Sequence, residues 1–406
     1  ASAATITAAS SAWTGFKRLG SFFQANYAFD SKYMASAILR YDGSSRFGSG
    51  VKFGWFPAIS LGWDVAKEGF ITNKSLFSQL KLRLGYGETG NDQIGNFDSR
   101  SLYGGGITYN GQAGIRPNNL GNSNLQWERN VTTNLGLDYA LLNNKIFGAI
   151  DVYHRSSKDL LLSKPVAWAY GYNDIMENLG EVVNQGIEIE IGANWIRKQD
   201  LKWTTSFNIS FQKNEVVKLY DGLKVLPGDN GIAVGYPLRT HVLPQYAGVN
   251  AATGRAVWYD KDGNYTYNPG AMTLDSYAPY GFPSELPDFF GGLNNTLQYR
   301  GFSLGVFFQY DYGRTLYDNQ GRTMGRAGGA QINSMRLYYD NRWLTEGQIT
   351  TVPRPIDNVA ERGSARGDIA STRYLQDASY IRLKNINLSY TIPQSITSKL
   401  KVRSAK

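Results

Sequence analysis

Between Trp127 and Tyr139 the chain alternates with a period of two. Trp127, Arg129, Val131, Thr133, Leu135, Leu137 and Tyr139 form a mostly apolar set that ends in aromatics. The intervening Glu128, Asn130, Thr132, Asn134, Gly136 and Asp138 include no apolar side chain. A strand turns successive side chains to opposite faces, so this pattern predicts a strand with one apolar and one polar face. The pattern recurs. Ile187, Ile189, Ile191, Ala193 and Trp195 oppose Glu188, Glu190, Gly192 and Asn194. Trp203, Thr205, Phe207, Ile209 and Phe211 oppose Thr204, Ser206, Asn208, Ser210 and Gln212. Leu80, Leu82, Leu84 and Tyr86 oppose Lys81, Arg83, Gly85 and Gly87, and Phe302, Leu304, Val306, Phe308 and Tyr310 oppose Ser303, Gly305, Phe307, Gln309 and Asp311. Two stretches are less regular: Ala35, Ala37 and Leu39 make a weak face, and Ile381 and Leu383 fall out of step with Leu388 and Tyr390.

Strands are therefore expected near 16–29, 33–42, 55–65, 79–88, 127–139, 146–158, 183–196, 201–214, 289–299, 302–314 and 379–391. Several run ten residues or more, longer than the roughly five or six typical of soluble strands and close to the nine to eleven of a tilted membrane strand. The links between them alternate in length. Short ones fall at Asp30-Ser31-Lys32, Ala140 to Lys145, Arg197 to Asp200 and Arg300-Gly301, and a slightly longer one, Ala66 to Ser78, is expected to carry a helical turn. Long ones fall at Gly43 to Gly54, 89–126, 159–182, 215–288 and 315–378. Short turns on one rim and long loops on the other mark an outer-membrane β-barrel. The expected fold is all-β: an antiparallel transmembrane β-barrel, present in part.

Composition supports that choice. Of 406 residues 42% are hydrophobic and 14% aromatic, with 45 glycines and 18% charged residues. Aromatics at the ends of the apolar faces suit the two interfaces of a bilayer. No run approaches the roughly 18 apolar residues of a membrane-spanning helix, which leaves barrels open because their strands are apolar only at alternate positions. There is no cysteine, so disulfides and thiolate metal sites are excluded. The net charge of +9 is dispersed over strands and turns, without the concentrated basic stripe of a nucleic-acid surface. Ala1 to Thr14 lacks a basic region followed by an apolar core and is not a signal peptide; 1–15 is expected to be a leading segment or loop. The chain is expected to be mature, processed or incomplete, and 392–406 to hold a turn and the start of a truncated hairpin.

A series of motifs runs in order along the chain: Tyr41-Asp42-Gly43-Ser44-Ser45-Arg46-Phe47-Gly48, Trp55-Phe56-Pro57-Ala58-Ile59-Ser60-Leu61-Gly62-Trp63, Leu80 to Gly87 and Thr89-Gly90-Asn91. Asn124-Leu125-Gln126-Trp127-Glu128, Asn178-Leu179-Gly180, Asn184 to Glu188, and Tyr380 to Asn385 with Leu388-Ser389-Tyr390 follow. This series, from about Phe16 to Leu400, resembles the barrel of the SusC/RagA family of TonB-linked outer-membrane transporters of Bacteroidetes. The resemblance implies a plugged barrel of about 22 strands, opened through TonB and lidded by a SusD-like lipoprotein. It implies uptake of an oligosaccharide or peptide rather than catalysis. The eleven strands expected here match only part of such a barrel, with no counterpart to the plug or TonB-contacting segment. A soluble all-β carbohydrate-active enzyme and a passive porin are the alternatives. A propeller enzyme calls for a repeat of about 40–50 residues, which is absent.

Candidate chemistry is sparse. His154 and His241 lie far apart without a ligand partner at metal spacing. Glu188 and Glu190 share a strand face, a spacing that suits an acid/base pair or the lining of a wet lumen, and the lumen is the preferred reading. Asp260-Lys261-Asp262-Gly263-Asn264 begins like a calcium loop, but Tyr265 and Ala271 stand where the turn glycine and bidentate glutamate belong, so a polar hairpin tip is the preferred reading. Gly104-Gly105-Gly106 lacks the lysine and context of a phosphate loop. No cofactor, metal or catalytic residue is expected. The candidate ligand contacts are loop aromatics: Trp168, Tyr170 and Tyr172 in one loop, and Trp258, Tyr259, Tyr265 and Tyr267 in another, with loop-core or lid packing as the alternative role.

Overall fold

A computed structural model describes residues 13–167, 169, 171–226, 229–269, 283–325, 333–355, 369–399, 401–403 and 405. Eleven long strands form one antiparallel sheet: β1 (Arg18–Phe29), β2 (Tyr33–Ser44), β3 (Phe53–Asp64), β4 (Phe77–Asn91), β7 (Glu128–Leu141), β8 (Ile146–Lys158), β11 (Glu181–Arg197), β12 (Leu201–Lys218), β18 (Phe289–Tyr299), β19 (Phe302–Tyr312) and β22 (Tyr380–Tyr390). Each lies over an expected strand, and hydrogen-bonded neighbours follow chain order. The strands numbered between them belong to the long links. They are β5 (Leu102–Tyr109), β6 (Gln112–Asn119), β9 (Leu161–Pro165), β10 (Asp174–Asn178), β13 (Val225–Leu226), β14 (Asp229–Ala233), β15 (Tyr246–Val249), β16 (Ala256–Tyr259), β17 (Tyr265–Thr266), β20 (Thr315–Tyr317) and β21 (Leu375–Asp377). Four of the five long links thus carry small sheets of their own, which the alternation of the main strands did not reveal.

The short links are tight because their residues tolerate left-handed backbone. Asp30 and Ser31 both take positive φ, 51° and 50°, and the Lys32 N–H closes the turn on the Phe29 carbonyl at 2.9 Å. Arg300 and Gly301 do the same between paired Tyr299 and Phe302. Two consecutive positive-φ residues make the turn whose twist matches that of the flanking strands.

The chain divides into two compact units: residues 1–139 with 151–183, and 140–150 with 184–406. In the first, antiparallel register aligns Tyr27, Ala35, Leu61 and Leu84 on one face, with Ser36, Ser60 and Gly85 on the other. The apolar face is not covered: Phe23 is 68% exposed and Ile59 49%. Its aromatics gather at the two ends, Tyr41 stacked on Phe53 at 4.9 Å beside the long loop and Tyr33 paired with Trp63 beside the short turns. The second unit repeats the arrangement. Phe289 stacks on Tyr312 at 4.9 Å toward the loops, and Phe302 meets Tyr390 at 4.5 Å toward the turn.

The irregularity at Ile381 is a β-bulge. Phe307 pairs with Asn385 and Phe308 with Leu383, leaving Lys384 as the extra residue. One inserted residue shifts the phase by one, so Ile381 and Leu383 rejoin Ile386, Leu388 and Tyr390 on the apolar face. Beyond β22, where a further hairpin is expected, Gln394–Thr397 forms a helical turn and the Ile392 N–H reaches the Ala405 carbonyl at 3.0 Å.

Candidate functional site

On the long-loop rim of the first unit, motifs from five stretches of sequence meet. Phe47, Phe56, Leu125 and Trp127 form a buried cluster, with Ile94, Leu161 and Met176 packed on it. Trp127 lies edge-on to Phe56 at 5.5 Å and donates its indole N–H to the Lys52 carbonyl at 2.9 Å. Beside the cluster Asp92 is 2% exposed. It accepts from Arg18 Nε at 2.9 Å and Ser44 Oγ at 2.7 Å, and Arg46 donates to its backbone carbonyl at 2.9 Å. Burial pushes the Asp92 carboxyl up, but the Arg18 and Ser44 hydrogen bonds outweigh it and hold the group below the ordinary carboxylate range. Arg46 also covers the Phe16 ring at 3.7 Å. Asn178 and Gln126 exchange two bonds, at 2.8 and 2.9 Å, which tie the β9–β10 hairpin to the strand entry at Trp127. These contacts fix where the loops leave the sheet.

The polar face of the same unit carries an ion-paired trio. Arg83 on β4 donates to Asp138 at 2.8 and 2.9 Å and to Asp151 at 3.0 Å. Gly136 makes room, because a Cβ there would stand 2.6 Å from the guanidinium. Sequence reading placed Arg83 and Asp138 on polar faces but had no signal for their meeting, which depends on cross-strand register.

In the second unit the two longest loops interlock. The Tyr246 N–H donates to Thr372 Oγ1 at 2.9 Å and its hydroxyl to the Thr351 carbonyl at 3.0 Å. Trp343 donates its indole N–H to the Ala251 carbonyl at 2.9 Å and covers Gly254, whose Cβ would lie 2.4 Å from the ring. Backbone bonds from Gly347 to Ala251 and from Arg354 to Gly254, both 2.9 Å, complete the tie. Burial pushes the Tyr246 phenol up to about 12, so it remains a neutral donor.

The candidate aromatics fall in different places. Trp168 and Tyr170 lie outside the described residues. Tyr172 is half-buried and hydrogen-bonded to Tyr103, with burial and that bond raising its phenol. Trp258 is fully buried, edge-on to Tyr246 at 6.0 Å, and so sits in the loop core. Tyr267 accepts from Asn250 at 2.6 Å beneath Arg255, while Tyr259 packs on Tyr265 at 5.4 Å. Tyr265 is 74% exposed. Asp260 closes its own turn, accepting from the amides of Asp262 and Asn264 at 2.9 and 2.8 Å, which hold its carboxyl low. This is the polar hairpin tip between β16 and β17. Gly104 to Gly106 belong to β5 at a register shift, with Gly106 at φ 82°. His241 contacts the Thr315 carbonyl at 3.1 Å within the loops. Among the described residues no group of three metal-ligating side chains converges.

A family model described as TonB dependent receptor-like, beta-barrel, matches residues 2–351. The chain belongs to this family. TonB-dependent receptor P39 of Formosa agariphila is 31% identical over 423 residues, covering 93% of this chain and 40% of the relative. TonB-dependent receptor SusC of Bacteroides thetaiotaomicron is 30% identical, covering 91% and 37%. A structure of the RagAB peptide transporter superposes with a TM-score of 0.80 at 28% identity, over 94% of this chain and 42% of that one. The chain spans about 40% of the length of the curated relatives it matches. Membership of the TonB-dependent receptor barrels gives the two faces their solvents. The apolar face meets outer-membrane lipid and the polar face the lumen, with long loops outside the cell and short turns in the periplasm.

Proposed function

We propose that the chain supplies barrel wall and extracellular loops, over 16–391, to a TonB-dependent importer of oligosaccharides or peptides that works with a SusD-like surface lipoprotein. The observation that carries this is the interlocked loop structure of the second unit and what it leaves uncovered. Leu337, Tyr339, Leu344 and Ile349 stand 64, 61, 60 and 95% exposed on it. Exposed apolar side chains this close in sequence, on an ordered loop scaffold, suit a protein partner. The reading is one of binding and transport, with no catalytic step. TonB would act through parts of the whole protein beyond this barrel region, and Tyr265 is the loop aromatic best placed to touch cargo.

The test is purification of the whole protein from detergent-solubilised outer membranes, followed by mass spectrometry of co-purifying species. A stoichiometric surface lipoprotein is expected, and changing Leu337 and Ile349 together to Asp should abolish its recovery. Recovery of the barrel alone, under conditions that preserve known outer-membrane complexes, would overturn the partnered reading.

A further inference from the structure

The weak face at Ala35 has a physical consequence on the lipid side of β1 to β4. Tyr27, Ala35, Leu61 and Leu84 form one cross-strand row, and Tyr33, Trp63 and Leu82 form the next toward the short turns. Ala35 is the small member of its row, flanked by a ring on one side and leucines on the other. The result is a groove of about 360 Å³ between the two rows, almost wholly apolar in its lining. Its periplasmic wall is tied directly to charged groups. The Tyr33 hydroxyl and the Trp63 indole N–H both donate to Glu68, at 2.6 and 3.0 Å, and Lys32 stands 3.7 Å from the same carboxylate. Lys67, half-exposed, donates to the Ser31 carbonyl at 2.9 Å and lies 3.4 Å from Asp64, and Asp30, 64% exposed, lies 3.4 Å from Lys32. The rim thus presents both signs of charge to solvent, each also partnered within the protein.

We infer that this groove is a binding site for one acyl chain of a zwitterionic phospholipid of the periplasmic leaflet, with Lys67 meeting its phosphate and Asp30 its ammonium group. Three features select this occupant. The lining offers an alkyl chain apolar contact and gives a sugar or peptide almost nothing to hydrogen-bond. The groove lies at the short-turn rim, where the bilayer leaflet is phospholipid, and not at the loop rim, where it is lipopolysaccharide. The adjoining charges are mixed, matching a headgroup that carries both signs better than an anionic one. Two rings tethered to Glu68 hold the wall in place, so the chain enters a preformed slot and loses less freedom on binding than an induced fit would require.

The experiment is native mass spectrometry of the whole protein, purified in mild detergent and supplied with phosphatidylethanolamine. Retention of one lipid is expected. Ala35→Phe fills the groove and should lower the retained fraction about tenfold, because buried methylenes set acyl-chain affinity. Ala37→Phe adds the same bulk one row away and should leave retention unchanged. Lys67→Glu should lower retention several-fold. Equal retention by wild type and Ala35→Phe, an equal fall in Ala37→Phe, indifference to Lys67→Glu, or lipopolysaccharide as the retained species would each overturn the assignment. Should Ala35→Phe fail to give a heat-modifiable folded barrel, Leu61→Ala removes the groove wall without adding bulk. It must then reproduce the loss, and unchanged retention overturns the site.

Discussion

Asp92 shows how a single side chain holds a loop rim in place. It follows directly on a membrane strand, yet it is buried and collects Arg18, Ser44 and the backbone-directed Arg46 around it. Replacing it with Asn keeps the shape but removes the charge that both arginines complement. Asp92→Asn is expected to destabilise the rim by about 2 kcal/mol, the scale of a hydrogen bond to a charged group. The readout is faster proteolysis within residues 92–127. Because the folded carboxyl is held below its ordinary value, its contribution is fully present above the ordinary carboxylate range and is lost as pH falls through the folded value. Wild-type rim protection should therefore decline on acidification, while that of Asp92→Asn stays flat; parallel acid profiles would show that another group governs the rim.

At the scale of elements, the bulge in β22 gives an unusual prediction. Deleting one residue from a membrane strand normally turns half of it inside out. Deleting Lys384 should not, because Asn385 and Leu383 already pair with adjacent Phe307 and Phe308. Removal of the extra residue leaves the alternation regular, and folding yield into vesicles should stay near wild type. Deleting Gly85 from β4, whose pairing with β3 is regular, instead carries Arg83 toward lipid while Tyr86 holds its place. An arginine on the lipid face costs about 2–4 kcal/mol near the midplane, so this variant should fold poorly. Equal yields from the two deletions would mean that the bulge does not set the phase of the strand.

For the molecule as a whole, the two faces of the wall and the loops above it make separate demands. Ile59 and Ser60 are neighbours in β3 that face opposite solvents. Ile59→Arg should lower stability in a denaturant titration of vesicle-folded protein by about 2–4 kcal/mol, and Ser60→Arg by much less, because lumenal water solvates the charge. The loop structure of the second unit depends on Trp343, which lies over Gly254 and donates to the Ala251 carbonyl. Trp343→Ala should expose both long loops to protease together, since they share that core. Cleavage confined to the loop that contains Trp343 would show that they order independently.

The sequence by itself determined the wall. Side-chain direction in a strand has a period of two, so the apolar set, the polar set and the turn spacing are local properties that a single chain displays. The eleven long strands and the alternation of their links were legible for that reason. The order of the motifs was legible too, which is why the family resemblance preceded any geometry. What remained hidden depends on which distant residues meet. Register alone brings Arg83 to Asp138 and Asp151, 55 and 68 residues away. The same holds for the reciprocal Asn178–Gln126 pair and the burial of Asp92. The loops lack a repeating face, so nothing local distinguished buried Trp258 from exposed Tyr265 in one aromatic cluster. Only the tertiary structure decided that, because burial in a loop is set by what another loop lays over it. The Ala35 groove belongs to the same class: a weak face in one strand becomes a cavity only when the neighbouring strands place larger side chains on either side.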